Sequence, residues 1–267
     1  MHQSPRSFLR GATLALAFGL GLRLVAQTTV ETTPPSSVKL GVGFDYSKGD
    51  YGFSGDTEVF SSSLHLAHES PQWLFRATVP YVSVKGPAVV VAGSGPVFAA
   101  PARPSRSYQR GIGDITTSAT YHAIPSTDGL NVDLTGRVKF PTSDEKKGLG
   151  TGETDFYAQT DLYRRYGTAT PFGSVGYRFL GNSPLYQLED GFYASAGSIF
   201  RIADPTSLGV SFDWRSRIVA GGDHAFETTA FITHNATERW NLMGYVLKGF
   251  TDASPDIGLG GMATYRF

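Results

Sequence analysis

Apolar and polar residues alternate with a period of two along most of this 267-residue chain. The first clear run lies at 38–47, where Val42 and Phe44 alternate with Gly43 and Asp45. Successive side chains of a β-strand point to opposite faces, so this pattern predicts a strand with one apolar and one polar face. Similar runs recur about twelve times up to the last residue, and they predict an all-β chain of antiparallel strands.

The connections between these runs form a short set and a longer set, and the two sets alternate along the chain. The short connections are expected at 69–72, 124–129, 165–170, 203–207 and 235–239. The longer ones include 85–110, 141–153 and 181–191. Outer-membrane barrels have short periplasmic turns and longer extracellular loops. An even number of strands would then place both ends of the barrel in the periplasm.

The apolar faces could fill the core of a soluble sandwich or face lipid. Trp73, Tyr81, Tyr121 and Trp214 lie near predicted strand ends, where the aromatic girdles of membrane barrels occur. Strands of about ten residues are long enough to cross the hydrocarbon at a tilt. We therefore predict a transmembrane, antiparallel, up-and-down β-barrel of about twelve strands over residues 38–267, located in the bacterial outer membrane.

The first residues have the pattern of an export signal. Arg6 and Arg10 precede an apolar run at 11–22, and small residues follow near Ala26. The run is short for a membrane span. We expect a signal peptide at 1–26 and a short flexible leader at 27–37.

The polar face of each strand would line an aqueous lumen. The candidate lumen-lining residues are the charged ones on these faces, namely Lys39, Arg76, Asp114, Asp133, Arg137, Lys139, Asp155, Asp161, Arg178, Asp213, Arg215, Arg217 and Glu227. Their mixed signs favour neutralising pairs over a selectivity filter. Arg137 and Lys139 could face the run at 213–217 only if the barrel geometry brings the two strands together.

Two further segments have expectations of their own. In 240–250 the alternation fits either face, and we assign Met243, Tyr245 and Leu247 to the apolar one. The 85–110 connection is rich in Ala, Val and Pro, which is unusual for an exposed loop. We expect it either to fold inward and narrow the lumen or to form a mobile extracellular loop.

The last predicted strand runs to Phe267, with Tyr265 on the same apolar face. Pairing of this strand with the first one would close the barrel and remove both open edges. A final strand with a terminal aromatic residue also resembles the signal that is recognised by the machinery that inserts outer-membrane proteins. This resemblance makes Tyr265 and Phe267 candidates for an insertion signal, with the insertion machinery as a partner.

Two motifs are the most specific features of the sequence. They are Gly-x-Gly-Asp at 111–114 and a loop that runs from Pro-Thr at 141–142 to Thr-Asp at 154–155. With their surroundings at 111–125, 132–167 and 248–267, they resemble a family of outer-membrane barrels named for the meta-cleavage pathway of phenol degradation, the MetA-pathway family. Ser143 stands where the family pattern has glycine. The resemblance implies a transporter for aromatic compounds and supplies no functional residues.

The expected function is passive uptake of small, hydrophobic or aromatic solutes by a barrel in contact with outer-membrane lipid. One alternative is an outer-membrane hydrolase of the phospholipase kind, and another is a structural barrel without an open pore. His68 and Ser70 are close in sequence but fall in a predicted periplasmic turn, so no catalytic residue is assigned.

The bulk composition points to no metal or cofactor. The chain has no cysteine, and its six histidines show no spacing typical of a metal site. The net charge is zero, so nothing indicates nucleic acid as a partner.

Overall fold

The computed structural model describes residues 36–87, 108–183 and 187–267. It contains a short 3-10 helix at Glu145–Lys147 and β-strands at β1 Ser37–Gly49, β2 Thr57–Glu69, β3 Trp73–Lys85, β4 Gln109–Ile112, β5 Ile115–Ile124, β6 Asn131–Phe140, β7 Asp155–Tyr163, β8 Ala169–Phe179, β9 Gly191–Ala203, β10 Thr206–Arg215, β11 Ala225–Asn235, β12 Trp240–Gly249 and β13 Ile257–Arg266. Among the described residues, no helix has the length and apolar character needed to cross a bilayer. The all-β prediction is confirmed, whereas the predicted signal peptide and nearly all of the predicted leader lie outside the described residues.

The strands form one sheet that closes on itself. β1 pairs with β13, from Lys39 opposite Arg266 to Lys48 opposite Ile257. β1 also pairs with β2, β2 with β3, and the strands from β5 to β13 pair in chain order. β3 pairs with β5 near its start and with β4 near its end, so β4 and β5 occupy one position in the wall. The predicted antiparallel barrel of about twelve strands is therefore confirmed, with β4 as one additional strand.

The break between β4 and β5 has a local cause. The backbone N–H of Gly113 donates to the carbonyl of Pro80 at 2.8 Å, and Pro80 has no N–H with which to return the bond. A Cβ on Gly113 would lie 2.9 Å from Cγ2 of Val82 and 3.0 Å from Cγ of Pro80. The strand can therefore approach Pro80 this closely only with glycine at position 113.

The apolar faces of the strands point outward. On β1, Val42 and Phe44 are 60% and 49% exposed, whereas Lys39 and Asp45 are each 6% exposed. The same arrangement holds along the other long strands, so an apolar band surrounds the barrel and the polar faces enclose the interior. This is the orientation that a membrane barrel requires.

Aromatic rings lie at both ends of this band. The Trp73 and Tyr121 ring centroids are 5.0 Å apart at the end with the short turns. At the other end, the Tyr177 and Phe192 centroids are 4.7 Å apart. Two aromatic levels are typical of barrels that span a membrane with two interfaces.

The two predicted sets of connections lie at opposite ends of the barrel. The short turns share one end with the start of β1 and the last residues of β13, and the longer loops share the other. The barrel rule makes the short-turn end periplasmic and the long-loop end extracellular. The predicted segregation of the connections is confirmed.

The predicted orientation of β12 is wrong. Met243 is 6% exposed and Tyr245 points inward, whereas Leu242 and Val246 are 44% and 58% exposed on the outside. Apolar residues occur on both faces of this strand, so alternation could not distinguish them. Pairing with β13 places Tyr245 opposite Gly260, which leaves space for the inward ring.

Candidate functional site

The interior of the barrel contains nearly all of the charged residues that were predicted to line it. Those on inward faces are Lys39, Arg76, Asp114, Asp133, Arg137, Lys139, Asp155, Asp161, Arg178, Asp213, Arg215 and Glu227. Arg217 is placed differently, because it lies in the loop after β10 and half of its side chain is exposed. Its Nε donates to Glu189 at 2.9 Å, at the extracellular surface.

A buried ion cluster near the extracellular end joins β6 and β7 to Asp114, which lies just before β5. Nζ of Lys139 lies 2.7 Å from Oδ2 of Asp155 and 3.3 Å from Oδ2 of Asp114, and all three side chains have no exposed surface. Lys139 also donates to the hydroxyl of Thr151 at 2.9 Å. The two motifs singled out in the sequence, at 111–114 and 141–155, therefore meet at one lysine.

Two buried arginines lie at the same end. Arg215 forms an ion pair with Glu227 on β11. Arg178 donates from one guanidinium nitrogen to the carbonyls of Ser216 and Arg217, the latter at 3.2 Å. Arg178 therefore fixes the start of the loop that follows β10.

Tyr51 is a buried member of another extracellular loop. It is 6% exposed, and this burial raises the pKa of its phenol well above the ordinary value. The phenol of Tyr51 therefore stays protonated at pH values that would ionise an exposed tyrosine.

Arg137 and Lys139 do not meet the inward charges of β10. The guanidinium of Arg137 lies 4.3 Å from the ring centroid of Tyr157 on β7, which is a cation–π geometry. Lys139 is paired with Asp114 and Asp155, and Arg215 is paired with Glu227 on β11. These contacts do not support the expectation that Arg137 and Lys139 face the charged residues at 213–217.

An ion pair and a histidine–carboxylate hydrogen bond lie near the periplasmic end. Nζ of Lys39 lies 2.6 Å from Oε2 of Glu69, and Nδ1 of His122 lies 2.8 Å from Oδ1 of Asp133. Each pair joins two neighbouring strands across the inner wall. Lys39 and Glu69 neutralise each other locally, so this pair does not contribute to a ring of one sign.

An apolar cluster lies inside the barrel among these polar groups. Ile199, Phe231 and Met243 are buried in it, and Phe172 and Tyr245 pack against it. Alternation did not predict this cluster, because its residues either lie on faces assigned as polar or, like Met243 and Tyr245, were assigned to the outer face.

A sequence signal for this cluster does exist. Each inward ring covers an inward glycine of the adjacent strand, as Phe231 covers Gly209 and Phe172 covers Gly197. Pairs of inward aromatic residues and glycines could therefore have indicated the cluster.

The loop at 141–153 is anchored inside the extracellular end of the barrel. Its Leu149 has no exposed surface and belongs to one buried cluster with Val59, Val82 and Val84, which face inward from β2 and β3. For the 85–110 connection, the sequence left open an inward fold that narrows the lumen and a mobile extracellular loop, and 88–107 lies outside the described residues. Hydropathy did not indicate that the 141–153 loop is the one with a residue buried inside the mouth.

The Ser–His pair considered in the sequence is not a catalytic pair. The Ser70 hydroxyl donates to the carbonyl of Trp73 at 3.1 Å, which closes the turn between β2 and β3. His68 faces outward, with its Nε2 3.3 Å from the hydroxyl of Ser36. The hydroxyl proton of Ser70 is therefore committed to a backbone acceptor.

Another Ser–His pair lies inside the barrel. Oγ of Ser63 is 2.7 Å from Nε2 of His65, and Nδ1 of His65 is 3.0 Å from Oγ1 of Thr78 on β3. If Thr78 accepts from Nδ1, then Nε2 is free to accept the proton of Ser63. Within the described ranges, no group of three or more His, Asp or Glu side chains is arranged to hold a metal ion.

No protein-family model matches the sequence, and no curated protein is similar to it at the sequence level. Solved structures do resemble the barrel. The COG4313 outer membrane channel from Pseudomonas putida F1 matches with a TM-score of 0.70 and 13% identity, over 89% of this chain and 97% of that one. The KdgM porin matches with a TM-score of 0.55 and 6% identity, over 85% of this chain and 99% of that one. At these identities the likeness shows a shared fold: the chain is folded as an outer-membrane β-barrel of the kind found in channels.

Proposed function

We propose that this protein is an outer-membrane channel for the passive uptake of small hydrophobic or aromatic solutes. The observation that carries this proposal is the apolar cluster of Ile199, Phe231 and Met243 in the interior. Inward positions of a barrel that passes hydrophilic solutes are expected to be polar. An apolar surface with rings from Phe172 and Tyr245 favours a solute that gains from leaving water.

The structural neighbours support the channel part of the proposal. One of them is described as an outer membrane channel and the other as a porin. The resemblance of the motifs at 111–114 and 141–155 to the MetA-pathway family supports the aromatic part. We propose on this basis that the chain belongs to that family.

Current through single molecules in planar bilayers tests the proposal. The wild-type protein should conduct ions, and added phenol should interrupt the current because it occupies the apolar cluster. Phe231→Ser should weaken this block, while Thr229→Ala, at the preceding inward position of β11, should leave it unchanged. A folded wild-type barrel whose current is insensitive to phenol, or equally sensitive in both variants, would contradict the proposal.

The interior Ser63–His65–Thr78 arrangement favours a second candidate function, the hydrolysis of small esters. Ser63 would attack the ester carbonyl carbon while His65 takes its proton and passes it to the departing alcohol, and water would then release the acyl group. Ser63→Ala should abolish hydrolysis of an aryl acetate by the folded barrel, while Ser61→Ala on the same inward face should retain it. Equal rates in both variants would exclude this function.

Export and insertion belong to the same proposal. Residues 1–26 are proposed to be a signal peptide that is absent from the mature protein. Tyr265 and Phe267 are proposed to be the insertion signal, and Phe267 is 71% exposed at the end of the closing strand. Removal of the Phe267 side chain should reduce the amount of assembled protein in the outer membrane without changing the amount that is exported.

A further inference from the structure

The loop at 141–153 is attached inside the extracellular mouth at a single apolar residue. Leu149 is buried in one cluster with three inward valines of β2 and β3, and a Cβ on Gly111 would lie 3.0 Å from its Cδ1. The first glycine of the Gly-x-Gly-Asp motif therefore leaves space for this leucine. The loop leaves β6 and folds inward against the neighbouring wall formed by β2, β3 and β4.

Both halves of this loop are bound to the ion cluster of Lys139. Near its start, the backbone N–H of Ser143 donates to Oδ1 of Asp114 at 3.0 Å. Near its end, the hydroxyl of Thr151 accepts from Nζ of Lys139 at 2.9 Å. The cluster thus holds the loop on either side of Leu149.

Backbone geometry around Leu149 is adapted to the same attachment. Gly148 has φ of 67° and Gly152 has φ of 75°, a region that favours glycine. A Cβ on Gly150 would lie 2.7 Å from Oδ2 of Asp114. The glycines of this loop are therefore needed for its close approach to the cluster.

We propose that Lys139, Asp114 and Asp155 form a latch that holds the 141–153 loop across the extracellular mouth, and that this loop determines what enters the lumen. The inference rests on the proposed channel function. Lys139 acts as a positioning residue, because it acts on the pathway through the loop. Removing its charge leaves two buried carboxylates without their shared cation, so the favourable arrangement of the loop is lost.

Thiol accessibility tests the latch without reference to transport. The chain has no cysteine, so Leu149→Cys introduces a unique thiol at a position with no exposed surface. A membrane-impermeant maleimide should modify Leu149→Cys slowly in the folded barrel. The rate should rise by about tenfold or more when Lys139→Met is added, because the loop then opens more often.

One further variant is a control for the loss of a positive charge, and another can replace Lys139→Met in the experiment. Lys147→Met removes a cation of the same loop whose side chain is half exposed and paired only locally with Asp144, so the modification rate should not change. Thr151→Val removes the hydroxyl that binds Lys139 and leaves the three charges in place, so it applies if Lys139→Met does not assemble. It should raise the rate by a smaller factor than Lys139→Met.

Single-channel current then tests the role of the loop in the cysteine-free protein. Lys139→Met or Thr151→Val should increase the conductance, and Lys147→Met should not. Unchanged thiol reactivity in both latch variants would refute the latch. Increased reactivity with unchanged conductance would refute the loop as the constriction. The phenol block of the wild-type current tests the channel function itself, and neither of these two results depends on it.

Discussion

Tyr245 of β12 donates a hydrogen bond to Asp45 of β1, and Gly260 of β13 lies between them in the wall. The two residues are 200 positions apart in the sequence. The contact therefore forms only when the last strands meet the first. The hydrogen bond stabilises the closed barrel from the inside, where the ring of Tyr245 lies over Gly260.

Substitution of that glycine should loosen the closure. A Cβ at position 260 would lie 2.5 Å from Oδ1 of Asp45 and 2.5 Å from Cε1 of Tyr245, so Gly260→Ala must displace the ring. We expect a loss of about 1–3 kcal/mol in the free energy of unfolding, as for other overpacked sites. Denaturant unfolding in vesicles measures it. Gly258→Ala is the control, because its nearest neighbour would be 3.4 Å away. Equal effects of the two substitutions would contradict the proposed steric cause.

The two extracellular Arg–Glu pairs should differ strongly in their contribution to stability. Arg215 and Glu227 have side chains only 2% and 8% exposed, whereas Arg217 and Glu189 are 50% and 38% exposed. Glu227→Gln should cost about 3–5 kcal/mol because it removes the carboxylate that is paired with a guanidinium that stays buried. Glu189→Gln should cost less than about 1 kcal/mol because water and salt screen the exposed pair. Unfolding of both variants under one set of conditions measures the difference, and similar losses would contradict the assigned burial.

An arginine on the outer face should be costly according to its depth in the lipid. Val42 lies near the middle of β1 and Val38 near its periplasmic end, and both point outward. Val42→Arg should lower the free energy of unfolding by about 2–4 kcal/mol, and Val38→Arg by about 0–1 kcal/mol. The measurement is reversible unfolding from lipid vesicles. Equal costs at the two depths would contradict the lipid-facing assignment.

The outer face was predictable because lipid requires the same property of every outward position. Val42 and Phe212 could therefore be assigned from alternation alone. The interior follows a different rule, since inward side chains satisfy each other across strands that are distant in sequence. No local pattern indicates that Tyr245 binds Asp45, or that Lys139 binds both Asp114 and Asp155.

The position of the 141–153 loop was likewise not predictable from a local sequence pattern. The apolar composition of 85–110 made it the one connection considered for an inward fold, with a mobile extracellular loop as the alternative, and the polar, glycine-rich loop at 141–153 had the composition of an exposed segment. One leucine is enough to fix a loop inside the mouth when the wall offers an apolar contact. Val59 and Val82 provide it at inward positions that are otherwise polar, and these valines were the available signal in the sequence.

The corrected orientation of β12 leads to a direct test of which residues face lipid. Single cysteines at 243 and 246 can each carry a bimane label in the otherwise cysteine-free chain. Because Val246 is 58% exposed on the outside and Met243 is 6% exposed inside, nitroxide-labelled lipid should quench the label at 246 strongly and the label at 243 weakly. The presence of a water-soluble quencher in the lumen should not change which of the two labels is quenched more strongly by the nitroxide-labelled lipid. Stronger lipid quenching at 243 would mean that alternation had assigned this strand correctly, and that the apolar cluster faces the membrane.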